Sequence, residues 1–224
     1  MKYRIAAITV MLATLLAVHV QADPARWHCI FSTGSNYGGA GATFGTHPTT
    51  SDGYDPPSSD PYAPSDQAIY AGSNMYVATY HSSTTAGGTW TGPPGFYGID
   101  YRAPIPLIPG QSKTWTMYVW AVPLWPWNIR FAWSHYFTFP DEFYFTLTLK
   151  SKPAGIIGGP IAGTVWDLSA QPNAGIQLPI FRTANGLEGY VFDFTATVIP
   201  EPSSLAALLA GLGGLGALGW RRRR

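Results

Sequence analysis

The sequence predicts an all-β protein, an antiparallel β-sandwich of the jelly-roll or immunoglobulin-like type, with an addressing segment at each end. Three observations support this fold class. From residue 75 onward apolar and polar residues alternate at period two, Pro- and Gly-rich joints separate the alternating stretches, and no stretch shows sustained helical spacing with caps. The 20 prolines and 25 glycines in 224 residues suit many short strands joined by turns. We therefore expect about eight strands.

The N-terminal segment is typical of a secretory signal peptide. Lys2 and Arg4 precede an apolar run, residues 5–18, which is too short to span a bilayer comfortably. Small residues follow at the cleavage positions, so we expect cleavage after Ala22. The signal peptide then occupies residues 1–22, and a permanent N-terminal anchor is the alternative interpretation.

Residues 23–199 form the body, which we expect to be one secreted domain. Its only cysteine is Cys29, so no intramolecular disulfide can form and the hydrophobic core must stabilise the fold. The body contains seven Lys or Arg and eleven Asp or Glu, a net charge of −4. A weakly acidic surface does not suit binding to a phosphate backbone, so we expect no nucleic-acid partner.

The first part of the body, residues 32–67, is dominated by Gly, Ser, Thr, Pro, Asp and Tyr. Neither helical nor strand periodicity is visible there. We interpret it as a turn-rich surface segment, in which short strands can still occur because so long a stretch without structure is uncommon in a compact domain.

Strand signals follow in the rest of the body. The strong ones are residues 113–122, 143–150 and 190–198, and the weaker ones are residues 27–31, 75–81, 96–102, 129–137 and 161–168. In the first strong strand Trp115 and Trp120 fall on opposite faces, because successive side chains alternate. The last strand runs directly into the C-terminal segment.

Tryptophan is dense in the middle of the body, at Trp115, Trp120, Trp125, Trp127 and Trp133. Sugar rings have apolar C–H faces that stack on exposed indoles, so the best surface candidates for glycan stacking are Trp120, Trp125 and Trp127. Packing in the core is the alternative role for most of these side chains.

Signatures of catalysis are absent from the body. It contains no Gly-x-Ser-x-Gly elbow, His-Glu-x-x-His, Walker loop or Cys-x-x-Cys, so we expect no enzyme activity and no cofactor. Asp52, Asp55, Asp60 and Asp66 fall in one loop and could gather around a calcium ion, but turn formation explains such aspartates more simply.

Three parts follow one another at the C-terminus. They are Pro200-Glu201-Pro202, the apolar stretch 203–220, and Arg221-Arg222-Arg223-Arg224. The sixteen residues 205–220 would form a helix of about 24 Å, against a hydrocarbon core of about 30 Å, and flanking residues can cover the deficit. We therefore predict one transmembrane helix at 203–220, with the arginine tail on the cytoplasmic side.

These three parts together resemble the PEP-CTERM sorting signal, and the resemblance covers residues 200–224 only. It implies an exosortase that cleaves at or near the motif, and a Gram-negative bacterium that makes biofilm or exopolysaccharide. We expect the general secretion machinery to export the chain across the inner membrane. A transient insertion would then precede delivery to the cell surface or extracellular matrix. An uncleaved membrane anchor is the alternative interpretation.

For the body we expect a structural or adhesive role linked to biofilm or exopolysaccharide. A polysaccharide-binding module that uses Trp120, Trp125 or Trp127 is the alternative, and a secreted hydrolase has support only from the compartment and the fold class.

Overall fold

The body forms a sheet of eleven strands in the computed structural model, which describes residues 23–35, 38–56, 65–69, 75–82, 92–121, 129–135, 139–179 and 189–199. The strands are β1 Trp27–Ser35, β2 Gly38–Thr46, β3 Gln67–Ala68, β4 Met75–His81, β5 Gly95–Arg102, β6 Ser112–Ala121, β7 Ile129–His135, β8 Phe143–Ser151, β9 Val165–Asp167, β10 Ala174–Leu178 and β11 Tyr190–Val198. The described residues contain no helix. The all-β prediction is therefore confirmed.

All these strands hydrogen-bond into one continuous sheet, in the order β10-β7-β1-β2-β5-β4-β6-β11-β8-β9, with β3 added to β5. β2 and β5 run parallel, and the other paired strands run antiparallel. The two-sheet sandwich of the jelly-roll or immunoglobulin-like type is not confirmed, because the strands form a single curled half-barrel.

The sheet curls because its two halves pack their aromatic side chains against each other. The Phe31 ring on β1 lies 5.1 Å from that of Phe194 on β11, measured between centroids, although five strand pairings separate β1 from β11. Trp133 on β7 and Trp166 on β9 approach to 6.4 Å near the two edges. One hydrophobic core therefore fills the concave face.

Period-two alternation decides which side chains enter this core. The odd-numbered residues of β8, Phe143 to Leu149, are all buried, as are the even-numbered residues of β11, Tyr190 to Val198. Trp115 is fully buried, whereas its strand neighbours Thr114 and Thr116 are exposed. Burying a large apolar side chain typically contributes about 1.5–3 kcal/mol, so this alternation fixes the register of the central strands.

The interpretation of residues 32–67 as a turn-rich surface segment is wrong over its first part. β1 continues to Ser35, and β2 is a nine-residue strand between β1 and β5. Phe44 on β2 is fully buried. Glycines conceal the alternation, since they present no side chain on either face.

Two more differences concern the weaker strands. The strand predicted at residues 161–168 is reduced to the three residues of β9. β10 was not predicted, although Ala174, Ile176 and Leu178 alternate with Gly175 and Gln177, because the alternation is only five residues long and begins with two small residues. The predicted strand at residues 75–81 matches β4, whose bounds are the same.

The described part of the chain has no helix long and apolar enough to cross a membrane. The predicted signal peptide, with its cleavage position at Ala22, and the predicted transmembrane helix at 203–220 lie outside the described residues.

Candidate functional site

An aromatic cleft lies on the convex face of the sheet, where β4, β5 and β6 are neighbours. Strand register brings its members together: Tyr80 pairs with Phe96 across β4 and β5, and Ala78 pairs with Tyr118 across β4 and β6. Tyr76 pairs with Trp120 in the same ladder. Residues on one face of a strand recur at every second position, which places Tyr76, Ala78 and Tyr80 side by side.

The rings of this cleft contact one another closely. Trp120 stacks on Tyr76 at 4.7 Å between centroids and lies 4.8 Å from Phe96. Phe96 in turn lies 4.9 Å from Tyr80 and 5.9 Å from Tyr118. Such tilted and offset arrangements are favourable for aromatic pairs, so the rings hold one another in position.

The cleft has a volume of about 350 Å³ and is lined by Tyr80, Phe96, Tyr118 and Trp120. Tyr80 is 46% exposed, although large aromatic residues are usually buried. The four described lining residues offer flat apolar rings and two phenol hydroxyls, and none of them is charged.

Of the three tryptophans predicted to stack on glycans, the structure places Trp120 in this cleft. Trp125 and Trp127 lie outside the described residues. Trp115 is fully buried, as its opposite face requires, and Trp133 is buried with its indole N–H donated to the Gln171 carbonyl oxygen at 2.8 Å.

The aromatic neighbours of Trp120 were not among the predicted site residues. The sequence feature that indicates two of them is the alternation of Tyr76, Ala78 and Tyr80 in the strand predicted at residues 75–81. Which strands neighbour one another could not be read from the sequence, so these tyrosines could not be assigned to the same site as Trp120.

A second cluster, formed by polar side chains, is buried on the concave face. Arg102 binds the Asp100 carboxylate through both oxygens at 3.1 Å, and His81 Nε2 lies 2.9 Å from Asp100 Oδ2. Burial opposes the charged form of Asp100, which is 1% exposed, yet the Arg102 charge and the His81 hydrogen bond hold its pKa well below the ordinary range. Thr79 Oγ1 contacts the same His81 nitrogen at 3.4 Å.

The contacts described for this cluster differ from those of a catalytic relay. A nucleophile–histidine–carboxylate relay uses one ring nitrogen for the nucleophile and the other for the carboxylate. Here Thr79 and Asp100 share Nε2 of His81. The arrangement can instead fix β4, β5 and β6 to one another, since Arg102 also donates to the Thr114 carbonyl oxygen at 2.9 Å.

Asp66, also 1% exposed, joins a loop to β5. Its two oxygens accept the backbone N–H groups of Asp55 at 2.8 Å and Tyr101 at 3.2 Å. Burial raises the pKa of Asp66 to about 7, and the negative charges of Asp100 and Asp55 act in the same direction.

The calcium candidates serve local structure where they are described. Asp55 accepts hydrogen bonds from the Ser51 backbone N–H at 2.8 Å and from its hydroxyl at 3.1 Å. Asp52 forms an ion pair with Lys113. Asp60 lies outside the described residues. Within the described ranges, no three His, Cys, Asp or Glu residues are grouped so that they could hold a metal ion.

The folded body is anchored up to the last residue before the predicted sorting motif. Gly110 N–H donates to the Val198 carbonyl oxygen at 2.9 Å, and Val198 N–H donates to Gln111 at 2.8 Å. Ile199 N–H donates to the Glu142 carbonyl oxygen at 2.9 Å. The next residues, Pro200-Glu201-Pro202 and the segment to Arg221-Arg222-Arg223-Arg224, lie outside the described residues.

Comparisons with known proteins concern this end of the chain. The family model of the PEP-CTERM protein-sorting motif matches residues 198–224 and no other part. No curated protein and no solved structure matches the chain. The match begins at Val198, where β11 ends, so it includes all three parts of the predicted signal. The C-terminal segment of this chain is therefore a PEP-CTERM protein-sorting motif.

Proposed function

We propose that this chain is exported, that an exosortase sorts and cleaves it at or near Pro200-Glu201-Pro202, and that its β body then acts at the cell surface or in the extracellular matrix. The observation that carries this proposal is the PEP-CTERM motif at residues 198–224, directly after the last strand of a folded body.

The physical character of the segment supports the proposed sorting. Four terminal arginines resist translocation, so the apolar stretch 203–220 would hold the chain in the inner membrane with the body on the far side. Two prolines around Glu201 prevent helix or sheet from continuing through the junction. The motif would then be an extended strip between membrane and body, where a membrane enzyme can reach it.

Cleavage at this position would leave the body folded. Among the described residues, the hydrogen bonds of the last strand extend to Ile199, and Val198 is the core residue nearest the C-terminus. The released body would keep every strand and core side chain that the structure describes. A stable released body is what a matrix protein requires.

For the body itself we propose a structural or adhesive role linked to biofilm or exopolysaccharide, without catalysis. An extended sheet with an aromatic core suits a durable surface unit. The weaker alternative is a secreted hydrolase, which cleavage of any polysaccharide or peptide in a broad substrate panel would support.

Replacement of the motif tests the sorting proposal. In the native host, P200A/E201A/P202A should leave the chain in the inner-membrane fraction with its tag, whereas the wild type should reach the surface or the medium at a lower mass. The matched control S203A/S204A keeps Pro-Glu-Pro and should behave as the wild type. An identical distribution of all three proteins would contradict sorting through this motif.

A further inference from the structure

The aromatic cleft and the sorting segment lie at opposite ends of the same strands. Thr197, at the end of β11, pairs with Ser112 at the start of β6, whereas Trp120 lies near the other end of β6. The eight residue-to-residue steps from Ser112 to Trp120 span about 26 Å at about 3.3 Å per step. A body held by residues 200–224 would therefore present the cleft away from the membrane.

The lining of the cleft restricts the chemistry of a ligand. The described lining residues, Tyr80, Phe96, Tyr118 and Trp120, provide ring faces and two hydroxyls, and none of these four carries a charge that would neutralise an acidic group. A pyranose ring has an apolar C–H face that can cover an aromatic ring, and hydroxyls at its edge that can bond to phenols or remain in water. The volume of about 350 Å³ is at the lower end for small-molecule sites and suits a single sugar unit.

We propose that this cleft binds a neutral extracellular polysaccharide, with one pyranose ring stacked against the rings of Trp120 and Tyr80. The proposal rests on the proposed function in one respect only, that the body faces the outside of the cell. The cleft would hold the polymer both while the tag is in the membrane and after release.

Two other occupants fit the observations less well. A lipid would have to reach a cleft that lies about 26 Å along β6 from the level of Thr197, at the end of β11 that leads to the sorting segment. A second copy of the chain would cover the cleft with apolar surface, but two phenol-bearing residues line it, and Tyr80 is already 46% exposed in the single chain.

The test measures sugar binding by the full chain, purified in a zwitterionic detergent. Detergents with glucoside or maltoside headgroups would compete, since they carry pyranose rings. Isothermal titration uses neutral hexasaccharides of β-1,4-linked glucose, mannose and N-acetylglucosamine, with hexagalacturonate as the acidic comparator. At least one neutral hexasaccharide should bind about tenfold or more tightly than hexagalacturonate.

Variants then locate the site. W120A and Y80A should each weaken binding about tenfold, whereas Y144A should not change it, because Tyr144 is an exposed aromatic residue on β8, outside the cleft. Removal of the half-buried Trp120 ring in W120A could disturb the fold, whereas Tyr80 is exposed, so Y80A tests the site with less risk to folding. Circular dichroism checks that both variants are folded. Y80F keeps the ring and should retain most of the affinity.

Several results would overturn the proposal. One is binding to none of the neutral sugars, and another is equal binding by Y80A and the wild type. A third is a concentration-dependent dimer in sedimentation that Y80A abolishes, because this would identify a second copy of the chain as the occupant of the cleft. A chain that is cleaved normally in its host and binds no sugar would overturn this inference alone. A chain that binds sugar and is never cleaved would overturn the sorting proposal alone.

Discussion

At the scale of single residues, Asp100 and Asp66 are buried carboxylates with opposite electrostatic surroundings. Asp100 has a cation and a histidine as partners, which keep its pKa low despite burial. Among the described residues, Asp66 accepts hydrogen bonds from two backbone N–H groups and has no cation as a partner, and burial raises its pKa to about 7. Asp100 therefore stabilises the fold in its charged form, whereas ionisation of Asp66 costs free energy.

Loss of the Asp100 charge should destabilise the body substantially. D100N leaves the Arg102 guanidinium, which also packs over the Trp115 ring at 5.0 Å, without its anionic partner. We expect the free energy of unfolding to fall by about 3 kcal/mol in denaturant titrations followed by tryptophan fluorescence. The control K150A removes the more exposed ion pair with Asp193 and should cost under about 1 kcal/mol. An equal loss of unfolding free energy in both variants would contradict the conclusion that the charge of Asp100 stabilises the fold.

Asp66 should make the body less stable as the pH rises. Its folded pKa of about 7 lies above the ordinary 3.8, so the folded state binds the proton more tightly. The stabilisation is complete below about pH 4 and is lost as the pH rises through about 7. Denaturant titrations at pH 5 and pH 8 should therefore show that Asp66 lowers the free energy of unfolding at the higher pH.

The variant D66N isolates this effect. Burial lowers the pKa of His28, which acts in the opposite direction by destabilising the fold at low pH. The difference between wild type and D66N cancels that contribution. The free energy of unfolding of the wild type, relative to that of D66N, should be lower at pH 8 than at pH 5. A difference independent of pH would show that Asp66 does not titrate in this range.

At the scale of elements, the hairpin of β1 and β2 shows how glycine can serve a strand. Its register pairs Trp27 with Thr46 and Gly34 with Gly39. A Cβ built on Gly45 would lie 2.1 Å from the Trp27 carbonyl oxygen, far inside any allowed contact, whereas one on Gly34 would meet nothing within 4 Å. One glycine permits close backbone approach, and the other is not required by space.

Alanine at the two positions should therefore have different effects. G45A should lower the free energy of unfolding by about 1–3 kcal/mol, because the backbone must move to admit the methyl group. G34A should change it by less than about 1 kcal/mol, since the methyl group has space and alanine restricts the unfolded chain more than glycine does. Thermal unfolding of both variants tests this, and an equal loss would contradict the assigned contact.

The same hairpin explains what the sequence could and could not predict. β6, β8 and β11 were predictable because large apolar residues such as Trp115 and Phe194 alternate with threonines. β2 was not, since its glycines imitate a turn-rich segment. The cleft was predictable only at Trp120, because its other members join through the β4–β5 and β4–β6 ladders, and strand order depends on long-range pairing that no local pattern records.

At the scale of the whole molecule, the topology separates two functions. The last strand, β11, lies between β6 and β8 in the interior of the sheet order, so the residue before the sorting motif is held firmly. The aromatic cleft lies toward the other end of β6. The proposed protein thus has a cleavable sorting segment at one end of its folded body and the aromatic cleft as a binding surface at the other.

Sorting by an exosortase requires that residues 200–224 are removed from the mature protein. Mass spectrometry of both termini of the protein, isolated from its host with and without the exosortase, tests this removal. We expect a start near Asp23 and an end near Pro200 in the wild-type strain, with residues 200–224 retained when the exosortase is deleted. An intact Arg221 to Arg224 tail in both strains would contradict it and show that the segment is a permanent anchor.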